Sequence, residues 1–197
     1  MTNNLEILTT TERYWLALGR FTSEYSRVET CVQTLLWIVA ETPPKTAQAI
    51  FSGTKTDTAC RFIRRLFESR NEDLPELLSR AFDRLAIINT VRNDIIHYGI
   101  QYDEASRMVT SNAMMALPGK ERKTHISPLV LEQLWGDLVT IQYCMNAYFF
   151  STKGGSKPSV IERSLKGAQV PWQYKPPSRQ EARKDEPRKS RSHSRMQ

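Results

Sequence analysis

Only three cysteines and three histidines occur in the 197 residues. Cys31, Cys60 and Cys144 are odd in number, far apart and set among apolar residues, so they form neither a disulfide framework nor a CxxC pair. They read as free core thiols of a cytoplasmic protein. His97, His125 and His193 are scattered along the chain, which argues against a zinc site; no metal and no cofactor is called for. Long hydrophobic runs are also missing, since nothing approaches the roughly 18 apolar residues that span a membrane. The opening MTNNLEILTT lacks the basic start and apolar core of a secretory signal.

What is present in excess is positive charge, a formal +7. It is unevenly placed. Residues 1–150 carry 16 Lys/Arg against 17 Asp/Glu, leaving 12 against 4 for residues 151–197. The basicity therefore belongs to the C-terminal part and says nothing about nucleic-acid binding by the rest.

Helical periodicity dominates residues 11–150. Leu18, Phe21, Tyr25, Val28, Val32, Leu35 and Val39 recur at alternating spacings of three and four, one stripe of a long helix. The proline pair in TPP at 42–44 ends it. A short helix through KTAQAIF follows. Thr54 and Asp57 resemble a capping box before a helix with Ala59, Phe62, Ile63, Leu66 and Phe67 inward. Asp73 and Pro75 open a fourth helix with the stripe Leu77, Ala81, Leu85, Ile88, Val91 and Ile95, closed by Gly99. Residues 100–111 alternate weakly and suggest a small hairpin. The segment LPGKERKTHISP reads as a basic, mobile loop. Ser127 and Pro128 then begin a last helix, with Leu131, Leu134, Leu138, Ile141, Met145 and Tyr148 as its buried face. The pattern predicts an all-α fold: an antiparallel bundle of four to five helices spanning residues 1–150, with a β-hairpin after the fourth. Residues 151–197, poor in aliphatics and rich in proline and charge, read as a disordered basic tail.

The fourth helix ends in VRNDIIHYGI, and here the chemistry concentrates. Arg92, Asn93 and His97 combine a permanent cation, an amide and a group that exchanges protons near neutral pH. Asn93 and His97 are one turn apart and share a face opposite the apolar stripe, so the amide is placed to orient the imidazole. Ala86 and Asn89 lie toward the same face and leave room for a partner helix. Arg92 falls only about 40° from the centre of the stripe on an ideal wheel, so it must snorkel outward or meet a carboxylate. Glu29, beside the first helix's stripe, is the candidate structural partner. Asp94 reads as a solvated charge. A structural alternative stands beside the catalytic one, because cations are favoured at helix C-termini for dipole reasons alone.

A helical domain whose long core helix ends in R-N-x-x-x-H resembles the HEPN superfamily over roughly residues 11–150. That resemblance implies a metal-independent endoribonuclease with two motifs meeting across a homodimer, and Arg92, Asn93 and His97 as its catalytic residues. It also implies a role as a toxin or antiviral-defence effector, with an antitoxin or other protein as a possible partner. Some members carry a modifiable tyrosine two places after the histidine; Gly99 stands there in this chain. RNA is the expected substrate, with Lys120, Arg122 and Lys123 of the basic loop as phosphate contacts. Trp172 and Tyr174, set among cations, are candidate stacking residues for single-stranded RNA. The alternatives are a non-catalytic HEPN-like module that holds RNA, nucleotide or protein, and a helical scaffold.

Overall fold

The computed structural model describes residues 9–103, 107–117, 121–153 and 157–177. Its chain is mostly helical, with six helices among the described residues: α1 (Thr10–Val39), α2 (Pro44–Phe51), α3 (Thr56–Ser69), α4 (Glu76–Tyr98), α5 (Pro128–Lys153) and α6 (Pro158–Ala168). Three short strands, β1 (Gln101–Tyr102), β2 (Met108–Ser111) and β3 (Lys123–His125), lie between α4 and α5. None of these helices is long and apolar enough to cross a membrane.

Helix α1 starts at a true capping box. The Thr9 hydroxyl accepts from the Glu12 amide while the Glu12 carboxylate accepts from the Thr9 amide, satisfying two donors the helix itself cannot. Its stripe extends N-terminally beyond the predicted one through Tyr14 and Ala17, and buries Phe21, Tyr25, Val28, Val32, Leu35 and Val39. The chain leaves α1 through Glu41, whose φ of 51° turns it toward the Pro43–Pro44 pair. The predicted cap of α3 is not formed: Lys55 occupies the N-cap without a side-chain bond, and Thr56 is turned inward to Glu29. Gly99 closes α4 at φ 65°, a conformation that favours glycine.

Helix α5 packs against α1, α4 and α6, and α1 packs on α3. The core between them includes Phe21, Leu36, Ile63, Leu85, Ile88, Leu134 and Ile141. The predicted hairpin is the first half of a three-stranded antiparallel sheet, with Gln101 opposite Val109 and Val109 opposite His125. The supposed mobile loop thus supplies β3. Burial of Val109 and Ile126, and a hydrogen bond from Thr110 Oγ1 to the Asp94 carbonyl (2.9 Å), fasten this sheet to the end of α4.

The expectation of disorder from residue 151 onward needs correcting for residues 151–153 and 157–177. Helix α5 runs on to Lys153, α6 lies along α5, and residues 169–177 form an extended strap. A buried carboxylate anchors that strap. Asp137 accepts the amides of Gln173 (2.6 Å) and Tyr174 (3.2 Å), and Arg84 donates to both Asp137 and the Tyr174 carbonyl. Polar bonds to one acid hold this segment, together with Tyr174 in the core and Trp172 packed against it. Residues 178–197 of the predicted tail lie outside the described residues.

Candidate functional site at the C-terminal end of α4

Helix α4 places Arg92 and His97 differently. The His97 ring is exposed on the last turn, whereas Arg92 and Asn93 are half-buried. Arg92 sits over the Tyr25 ring, its guanidinium carbon 5.1 Å from the centroid, and donates from Nη1 to Asn93 Oδ1 (3.1 Å). A cation on an aromatic face suits a guanidinium that must lie near an apolar stripe. The amide predicted to orient His97 instead accepts from Arg92.

The proposed clamp by Glu29 is corrected. Glu29 accepts from Thr56 Oγ1 (3.0 Å), and among the described residues no ion pair joins it to Arg92. Tyr25 takes the supporting role. Its hydroxyl donates to Asn89 Oδ1 (2.6 Å), and Asn89 donates onward to Asp57 Oδ2 (2.7 Å), so a chain of bonds from α1 through α4 to α3 fixes the ring beneath Arg92. Burial first, with the Glu29 and Asp57 carboxylates adding to it against Arg92, pushes the Tyr25 hydroxyl up to about 12. It stays a neutral donor. Asn89, predicted to face a partner helix, is engaged in this network, while Ala86 is exposed. Hydropathy marked Tyr25 as core, and nothing in its spacing announced the hydroxyl's partners.

Beside the motif, Asp94 is buried rather than solvated, and Arg122 Nη2 meets its Oδ1 at 2.7 Å. Lys123 Nζ approaches Asp103 Oδ2 at 3.4 Å. The Arg107 amide, bonded to Asp103, holds that carboxyl far below the usual carboxylate range. Arg122 and Lys123 therefore stand beside carboxylates that draw on their charge, and Lys120 lies outside the described residues. The structure does not bring Trp172 and Tyr174 to this site. Tyr174 is buried, and both rings lie against Arg84, at 5.6 Å for Tyr174 and 5.5 Å for Trp172. They are strap anchors, so their assignment as RNA-stacking residues is withdrawn.

Among the described residues no cluster of three or more His, Cys, Asp or Glu is placed to hold a metal ion. No protein-family model, curated protein or solved structure matches the chain.

Proposed function

We propose that the protein is an endoribonuclease of HEPN type, an antiparallel helical bundle whose site is completed by a second copy of the chain. The observation that carries this reading is the solvent-reachable His97 at the end of α4, one turn beyond an amide that holds the Arg92 guanidinium. In the reaction, the ribose 2′-oxygen attacks the adjacent phosphorus. A bond to that oxygen forms, the bond to the 5′-oxygen breaks, and a 2′,3′-cyclic phosphate and a 5′-hydroxyl result. One base takes the 2′ proton and one acid supplies the 5′ proton; His97 and its symmetry mate suit the two tasks. Arg92 offers a permanently charged fork to the phosphate oxygens as negative charge builds. Two-fold pairing uses the same surface patch twice, and a toxin or defence effector restrained by a partner protein fits a cytoplasmic nuclease of this kind.

The test is end-group analysis of RNA incubated with the purified protein in excess chelator. Wild type should yield cyclic phosphates and 5′-hydroxyls. His97→Ala should cut about 10²–10⁴-fold more slowly while keeping its circular dichroism and sedimentation. Equal cutting by the variant ends the catalytic reading and leaves a binding module.

A further inference from the structure

The groove between α1 and α5 opens to solvent at two places. At one, Leu16, Ser23 and Arg27 of α1 meet Trp135 of α5 around a hollow of about 450 Å³. At the other, Thr34 and Ile38 meet Asn146, Phe149 and Phe150 around one of about 180 Å³. Residue numbers rise together on both helices from the first hollow to the second, so α1 and α5 run in the same direction. Positions seven apart on a helix lie within about 20° of one another. Arg20, Arg27 and Thr34 therefore form one line along α1, Trp135, Gln142 and Phe149 one line along α5, and both hollows open on the same face. Leu16 and Trp135 stand 39% and 38% exposed there.

Charge on this face has one sign. Beyond Glu132, α5 carries a single charged residue up to Thr152, and it is Asp137, whose side chain is 0% exposed. On α1 the exposed Arg13, Arg20 and Arg27 follow at seven-residue intervals, about 10 Å apart. Arg13 and Arg20 form no ion pair among the described residues. The acids of α1 are engaged elsewhere: Glu12 in the helix cap, Glu24 buried against Arg27 at 3.5 Å, and Glu29 with Thr56.

We infer that this face docks an amphipathic helix of a different protein, one that carries carboxylates along its flank. Apolar side chains of that helix enter the two hollows, and the smaller exceeds the roughly 150 Å³ that houses benzene in a protein core. A seven-residue repeat keeps the flanking charges of one helix in step with those of its neighbour. Glu or Asp at that spacing thus meets Arg13, Arg20 and Arg27 in turn. A second copy presenting the same face would set arginines against arginines, which disfavours it. The inference is independent of the ribonuclease reading.

The experiment is fluorescence anisotropy of a labelled peptide titrated with the full chain. The peptide has four heptads, with leucine at the two core positions and glutamate at the two flanking ones, whose like charges keep it from pairing with itself. It should bind at least tenfold more tightly than the same peptide with lysine in place of glutamate. Arg20→Glu changes an exposed residue without an ion pair, so it should leave Tm in place while reversing that preference. Trp135→Ala should weaken the acidic peptide about tenfold. Single-stranded oligouridylate should leave the bound peptide undisturbed. The proposal is overturned if neither peptide binds, if both bind alike, or if Arg20→Glu leaves the preference unchanged. Displacement of the peptide by oligouridylate overturns it too, since the arginines would then serve nucleic acid. So does a wild-type dimer that Trp135→Ala splits into monomers, because a second copy would then cover the groove.

Discussion

Arg84 and Asp137 carry full charges at 6% and 0% side-chain exposure, and each depends on the other. Arg84 donates from Nε to Asp137 Oδ2 (2.9 Å), and the second carboxylate oxygen is taken by the Gln173 amide. Removing one member of such a pair strands the other in a medium that solvates it poorly, which costs about 3–5 kcal/mol. Asp137→Ala should therefore lower unfolding stability by that amount in urea titration, and should also release the strap, seen as a shift in Trp172 emission. A loss below about 1 kcal/mol would mean that water reaches Arg84 in the folded chain. Neither residue was legible beforehand, because a lone Arg on one helix and a lone Asp on another, 53 positions apart, both read as solvated charges. Arg92 was read more fully: its wheel position predicted a cation near the stripe needing a partner, but the partner chosen was an acid, and the structure supplies the face of Tyr25.

Helices α1 and α4 were legible at the element scale because their apolar stripes are long and regular, and their terminators, Pro43–Pro44 and Gly99, act locally. Helix α6 was not. Val160 and Leu165 are exposed, and what it brings to α5 is a close approach rather than apolar bulk. A Cβ on Gly167 would lie 2.3 Å from the Tyr143 ring. Gly167→Ala gains about 1 kcal/mol of intrinsic helix propensity but must push α6 away from α5 or turn an aromatic ring out of place, at about 1–3 kcal/mol. The expected outcome is a net loss of stability in thermal unfolding. Gly19→Ala provides the contrast, since α1 leaves open space there, and should gain about 0.5–1 kcal/mol. If both substitutions stabilise, α6 does not rest on Tyr143. The β3 strand was missed for a related reason: its residues are polar and charged, and what holds it against α4 lies beside it, in the paired Val109 and Thr110, in Ile126 and in the Asp94–Arg122 contact.

At the scale of the molecule, several weak acids among the described residues are withdrawn from water and stay neutral. Burial pushes the Cys60 thiol and the Tyr14 and Tyr25 hydroxyls each up to about 12, from ordinary values near 9 and 10. In the unfolded chain these groups lose their protons first, so between about pH 9 and 12 the unfolded state binds fewer protons than the folded one. Stability must then fall as pH rises through that window, and it is fully present below it. The stabilising burial of these three groups thus becomes a liability in alkali, where the same core would have to admit thiolate and phenolate. Urea midpoints should be level between pH 7 and 8.5 and decline steadily above pH 9, and Tyr14→Phe should flatten the decline by removing one contributor. A midpoint that holds or rises between pH 9 and 11 would show these groups ionising as easily folded as unfolded, which requires water to reach them inside the folded core.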